Sequence, residues 1–230
     1  MTATIYQTEV RYVDRVTKAR YVWEKYRPIL QHSTILDVGA DECHLRRYLP
    51  DPTQYEGIGW GGAVDREVDL EVGQLAYDDR HFDCVMCCDV LEHLESAHRT
   101  FDELCRVARR HVIIALPNPW ATFWLVLRGR GTSHDMKFYG MPSDRPADRH
   151  RWFFSATDAE HFIRTRATKN GFTVDQLDFG WPDDRGWHRR MVWRQWLQRL
   201  RLLPNVPLQD LYAGQVWAVL SRPADRVEAA

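Results

Sequence analysis

A doubly wound, mostly parallel α/β sheet is the fold this sequence predicts, on three observations. Short apolar runs halted by glycine, proline or acidic residues alternate with segments of helical period. The run Phe82-Asp83-Cys84-Val85-Met86-Cys87-Cys88 is almost unbroken in apolar character, as expected of a strand covered on both faces. Strands separated by helices run parallel, because parallel neighbours need crossover connections.

The elements follow in order. Over 8–30, Val10, Val13, Val16, Ala19, Val22, Trp23, Tyr26 and Leu30 recur at three- and four-residue spacings with charges between them, which predicts a helix with one buried face. Thr34-Ile35-Leu36-Asp37-Val38 is a first strand stopped by Gly39, and Cys43 to Leu49 has helical spacing before Pro50. A second strand is expected at 55–60 and a third at Val68-Asp69-Leu70. The fourth is the Phe82–Cys88 run, followed by a helix over 96–109. His111 to Leu116 is the fifth strand, ended by Pro117. From Arg128 to Arg151 no period is sustained, and glycine, proline, aspartate and arginine abound; so long an irregular connection predicts an insertion or lid near a site. Ser155 caps a helix reaching Lys169, Gly171 stops it, and Phe172-Thr173-Val174 opens a sixth strand. A helix over 187–203 and a last strand over 214–221 complete the chain, predicted as one domain over 1–230 with an N-terminal helical region at 1–30.

Composition narrows the function. A formal net charge of -1 over 230 residues leaves no general electrostatic footprint for nucleic acid, so such a partner is not expected. Three of the five cysteines lie inside the fourth strand, and no CxxC pair is matched by a second, which predicts reduced core thiols in a cytoplasmic protein. The first residues lack the apolar stretch of a signal peptide, and no window has the apolar length of a membrane span.

In an open α/β sheet the ligand lies beyond the carboxyl ends of the strands. There Asp37-Val38-Gly39-Ala40-Asp41-Glu42-Cys43 places a carboxylate, suited to a ligand's amino group, beside a tight turn. Together with Asp69-Leu70-Glu71, Phe82-Asp83-Cys84-Val85, Asp89-Val90-Leu91-Glu92-His93-Leu94 and Ala115-Leu116-Pro117-Asn118, this order of segments resembles the class I S-adenosylmethionine-dependent methyltransferases of type 11/23. The resemblance covers residues 30–120 and resumes at His150-Arg151-Trp152-Phe153-Phe154-Ser155 and Gly171-Phe172. It implies a Rossmann-like sheet of seven strands with an antiparallel last strand, and S-adenosyl-L-methionine as cofactor. By the same resemblance Asp37 and Gly39 hold the methionine part, Ala40 and Asp41 of the same turn and Gly59 and Trp60 at the end of strand two are further cofactor-binding candidates, Asp69 and Leu70 lie against the adenine, and Asp89 and Val90 floor the sulfonium. His93 is the candidate general base, and His150 is a second catalytic candidate. Asn118, Trp120 and Arg151 are the candidate acceptor contacts.

The chain departs from that family at two places. Asp41 and Cys43 stand where glycines are usual; aspartate tolerates positive φ, and cysteine is small enough for close helix packing. Gly59-Trp60 replaces the acidic residue that ends strand two, for which Asp65 or a stacking Trp60 are the candidate substitutes. A sulfonium is already a strong methyl donor, so the protein's task is to align the acceptor and exclude water, with a base only for a hydroxyl or a protonated amine.

The reading is methyl transfer to O or N of a small-molecule, sugar or lipid-linked acceptor. Its rivals are a degenerate cofactor-binding module and a metal-assisted RNA 2′-O-methyltransferase. Asp89-x-x-Glu92-His93, completed by His134 or His150, has metal-competent residue types, as certain RNA 2′-O-methyltransferases do. Leu-Glu-His-Leu equally matches metal-free members, and no metal is expected. Arg185, Arg189, Arg190, Arg194, Arg199 and Arg201 interleaved with Trp187, Trp193 and Trp196 suit either a helix docked on the sheet or a peripheral membrane contact through 187–203.

Overall fold

In a computed structural model the structure describes residues 6–130, 144, 149–181, 192, 193, 196, 198, 199 and 205–223. Among the described residues, seven strands form one sheet: β1 (Ile35–Val38), β2 (Tyr55–Gly59), β3 (Arg66–Glu67), β4 (Phe82–Cys88), β5 (Ala108–Pro117), β6 (Thr173–Gly180) and β7 (Gln215–Ser221), in the order β3-β2-β1-β4-β5-β7-β6. The pairs from β3 through β5 are parallel, and β7 is antiparallel to both of its neighbours. Because β1 is flanked by β2 on one side and β4 on the other, the strand order reverses there, which opens a crevice at their carboxyl ends.

Strand alternation sorts the core into two layers. Ile35, Cys84, Met86, Ile113, Ala115, Trp217 and Val219 face α1 (Arg15–Leu30), which brings Val22, Tyr26, Ile29 and Leu30 down onto them. Leu36, Val38, Val85, Cys87, Val112, Ile114, Ala218 and Leu220 face the other way, against Phe101 and Leu104 of α2 (Ala97–Val107) and Ile163 of a later helix, Ala156–Lys169. All five cysteines are free thiols.

Several boundaries differ from expectation. The N-terminal helix starts at Arg15, because Asp14 caps it: its carboxylate accepts the Thr17 amide at 2.7 Å while the Thr17 hydroxyl accepts the Asp14 amide at 3.2 Å. Val10 and Val13 therefore precede the helix. After β1 the chain makes only a 3₁₀ turn, His44–Tyr48. The third strand is Arg66–Glu67 rather than Val68–Leu70: the Asp69 carboxylate accepts the Glu71 amide at 2.9 Å and starts a 3₁₀ turn at Leu70. α3 (Pro119–Leu127) follows β5, with proline at its first position and Phe123, Leu125 and Leu127 exposed. After α4 (Ala156–Lys169) and β6, a short α5 (Leu208–Tyr212), which the sequence pattern did not predict, precedes β7. Most of the helix expected at 187–203, and His134 with most of the expected lid at 128–151, lie outside the described residues. Among the described residues no helix is long and apolar enough to cross a membrane.

Candidate active site

A cavity of about 370 Å³ opens at the carboxyl ends of β1 and β4. Asp37, Gly39, Ala40, Asp41, Asp89, His93 and His150, all expected at the site, line it. Glu92, weighed only as a metal ligand, and Pro117, expected at the mouth, line it too; the walls not foreseen are Arg15, Lys18, Ala19 and Val22 of α1, His44 and Leu45 of the following turn, and Met86 and Cys88. Residues 15, 18, 19 and 22 share one helix face, and two cations inside an otherwise apolar stripe are the signal that could have marked α1 as a wall.

The first turn is built by a tight backbone. Gly39 adopts φ +80°, and a Cβ there would lie 2.1 Å from Val90 Cγ2, so Val90 shapes this turn from beneath. The Gly39 and Ala40 amides both donate to the Ile58 carbonyl, at 2.7 and 3.1 Å. Asp41 and Cys43 hold φ of +53° and +50°, so the two residues replacing the usual glycines adopt left-handed backbone. The Cys43 sulfur has room because β2 carries Gly57: a Cβ on Gly57 would lie 2.4 Å from Cys43 Sγ and 2.8 Å from Ala40 Cβ.

Charge in the cavity is arranged in opposed pairs. The Tyr55 hydroxyl donates to the Asp37 carboxylate at 2.7 Å. Burial raises the Asp37 carboxyl from its ordinary 3.8 to about 6, a rise that the Tyr55 hydrogen bond and the nearby Lys18 ammonium reduce. Asp89, at φ +59°, is held by the Lys18 ammonium on one oxygen and the Gln215 amide on the other. Burial works to lower the Lys18 ammonium, but Asp89 beside it, with smaller contributions from Cys88 and Glu92, holds it above its usual range. Arg15 pairs with Asp41 at the more exposed mouth.

The cavity is also lined by Glu92, His93 and His150. A 3₁₀ turn, Leu91–His93, follows β4, and residues 150–152 run back across it. The Arg151 amide donates to the Glu92 carbonyl at 2.7 Å, and the Trp152 indole to the Leu94 carbonyl at 2.7 Å. This brings the His93 and His150 rings to 4.5 Å between centroids, nearly perpendicular, with His93 Nε2 3.7 Å from Glu92 Oε1. Glu92 also touches a second cavity of about 220 Å³, lined by Leu116, Trp152, Phe153, Phe154 and Phe162.

Other expected residues sit around this centre. Gly59 ends β2, where a Cβ would come 3.4 Å from the Gly39 Cα; Trp60 is 77% exposed. Leu70 is buried, and its carbonyl accepts the Ser96 hydroxyl at 3.1 Å. Asp65 turns inward, accepting the Gly57 amide at 2.8 Å and pairing with Arg46. Asn118 is buried, and its amide nitrogen donates to the carbonyls of Gln209, Asp210 and Ala213 at 2.7 to 3.0 Å, pinning α5. Trp120 stacks on Phe153 at 6.3 Å, and the Arg151 guanidinium reaches Glu95 at 3.7 Å.

With that geometry in place, the family model described as "Methyltransferase domain" matches residues 10–177. The chain belongs to the methyltransferase domain family. S-adenosyl-L-methionine is the cofactor this membership implies. No curated protein matches the chain. An S-adenosylmethionine-dependent methyltransferase from Archaeoglobus fulgidus superposes with a TM-score of 0.56 at 16% identity, covering 93% of this chain and 96% of that one. One from Mesorhizobium loti gives 0.52 at 12% identity, covering 87% and 97%. The [4+2]-cyclase SpnF gives 0.53 at 14% identity, covering 96% and 87%. At such identities the likeness is one of fold, a fold that also carries chemistry other than methyl transfer. The cavity's lining fits the charges of such a cofactor: Asp37, Asp41 and Asp89 carry the carboxylates that its ammonium and sulfonium would call for, and Arg15 and Lys18 the cations for its carboxylate, in a volume typical of small-molecule sites.

Proposed function

We propose that this methyltransferase domain is an enzyme that transfers a methyl group from S-adenosylmethionine to an oxygen or nitrogen of a small-molecule, sugar or lipid-linked acceptor. The observation that carries the reading is one cavity lined both by Asp37, Gly39 and Ala40 and by Glu92, His93 and His150. When bound, the cofactor supplies an activated methyl group; the protein's residues bind, orient and manage the acceptor's proton. Asp37 and Asp41 with Gly39 and Ala40 hold the amino-acid portion; Gly59, Trp60, Asp69 and Leu70 flank the adenosine portion; Asp89 and Val90 form the floor. His93 and His150 stand where a hydroxyl or ammonium proton is taken up. Trp120 and Arg151 border the entry, with Asn118 fixing the segment behind them, and the aromatic cavity beside Glu92 supports an acceptor with an apolar portion. The five free thiols support work in a reducing, cytoplasmic setting.

Isothermal titration with S-adenosylmethionine and its demethylated product tests the binding half. Saturable one-to-one binding, lost in Asp37→Ala with the fold intact, is expected; undiminished affinity in that variant places the ligand elsewhere. Transfer of labelled methyl into a panel of hydroxyl and amine acceptors, including lipid-linked sugars, tests the catalytic half. A second reading, a binding module without catalysis, is favoured by Lys18 and Arg15, which pair with Asp89 and Asp41 inside the site. It predicts cofactor binding with no transfer to any acceptor.

A further inference from the structure

We infer that Glu92, His93 and His150 form a binding site for a divalent first-row transition ion of the zinc, cobalt or iron type. One ligand atom from each of the three lies within 4.8 Å of the others. The residues come from two separated stretches of chain, drawn together by the Arg151 amide on the Glu92 carbonyl. In tetrahedral coordination with bonds of about 2.1 Å, ligand atoms sit about 3.4 Å apart, and the His93 Nε2 to Glu92 Oε1 separation is 3.7 Å. Only a few tenths of an ångström of side-chain adjustment closes that pair around an ion.

The setting suits a metal. The Glu92 side chain is 1% exposed although it borders two cavities. A carboxylate so deeply withdrawn from water gains most from a cation in direct contact. Two imidazoles and one carboxylate are a donor set for zinc and iron-type ions rather than magnesium or calcium, and three protein ligands leave coordination positions open toward the cavity. Asp89 stands outside the set, its two oxygens taken by Lys18 and Gln215.

The ion's role rests on the methyl-transfer reading, whereas its binding does not. Beside the cofactor, an ion lowers the pKa of a coordinated acceptor hydroxyl. With the ion bound, His93 and His150 act as ligands in place of proton acceptors, so the proton leaves to water; the new O–CH₃ bond forms as the S–CH₃ bond breaks, and that electron pair stays on sulfur. The inference departs from the sequence-based expectation of metal-free chemistry, drawn from the Leu91-Glu92-His93-Leu94 match: the sequence offered His150 only as one of two candidates to complete a set with Asp89, and the structure places His150 against Glu92 and His93.

The test uses the untagged 230-residue chain, stripped with chelator and titrated with cobalt(II), following the visible ligand-field bands and, in parallel, zinc by calorimetry. One ion per chain is expected, with affinity at least tenfold lower in Glu92→Gln and in His150→Ala, and at equal metal concentration a larger rise in melting temperature in wild type than in either variant. If Glu92→Gln does not fold, the half-buried His150 carries the comparison through His150→Ala and His150→Gln. No stoichiometric binding, or equal affinity in the variants, overturns the site. Metal binding without methyl transfer leaves the site standing and removes the functional reading. Transfer unaffected by chelator in protein that binds cobalt overturns the ion's role.

Discussion

Replacing Asp37 by asparagine separates what this residue costs the fold from what it gives the cofactor. Folding raises its carboxyl from 3.8 to about 6, chiefly through burial. The folded state therefore binds the proton more tightly than the unfolded chain. Below the unfolded value there is no penalty; as pH rises through that window the penalty grows, and above about 6 it is complete. A shift of about two units corresponds to about 3 kcal/mol at neutral pH. The asparagine side chain keeps an oxygen to accept the Tyr55 hydroxyl and carries no charge, so Asp37→Asn should be more stable than wild type at pH 7.5 by about 1 to 3 kcal/mol. Near pH 4 that advantage should disappear. Urea denaturation of both proteins across this range measures the difference directly. Cofactor affinity should move the opposite way, falling at least about tenfold in the variant, and in wild type it should strengthen as pH rises through about 6. An Asp37→Asn protein whose stability difference is the same at pH 4 and pH 7.5 would refute the buried-charge argument. Retained affinity would separately refute the cofactor role.

Three further predictions follow from the surroundings of the site. Gly39→Ala should lose about 2 to 4 kcal/mol, combining left-handed strain with the Val90 clash; Val90→Ala placed on top should recover the clash but not the strain, as a double-mutant cycle of melting curves will show. Asn118→Leu should cost about 2 to 3 kcal/mol, because three carbonyls at the approach to β7 lose their shared donor, and chemical denaturation reads this without any acceptor. Arg15→Ala, by contrast, should change stability by less than about 0.5 kcal/mol, since the Arg15 side chain is 73% exposed in its pair with Asp41; a large loss would mean that α1 is anchored mainly through this contact.

Legibility followed the nature of the signal. β4 could be read to the residue because a strand buried on both faces leaves a continuous apolar run, and the end of β1 because Gly39 stops it abruptly. The capping box at Asp14 and Thr17 was equally present in the sequence, but Val10 and Val13 extended the helical spacing past it and hid the true start. β3 was displaced because Asp69 begins a turn through its own side chain, a local hydrogen bond that outweighs the apolar look of Val68 and Leu70. At the site, the strand-end carboxylates were legible from position alone. The α1 wall was not, because Arg15 and Lys18 read as solvated charges until Asp41 and Asp89 are placed beneath them. The meeting of His93 with His150 depends on backbone hydrogen bonds between distant segments, which no residue spacing encodes.

The nesting of Cys43 against Gly57 has a consequence for how sequences of this kind can change. A turn that ordinarily asks for a small residue in its own loop has transferred that demand to the neighbouring strand, so two positions that look independent are tied to each other. Restoring glycine at 43 is open at once and leaves a small void; adding a side chain at 57 is closed until 43 has shrunk, and then still meets Ala40. The order of substitution is thus directional, and the route back to the common glycine-rich turn is easier than the route onward from it. In a set of related sequences the two sites should therefore be coupled in one direction, with any residue larger than glycine at 43 accompanied by glycine at 57.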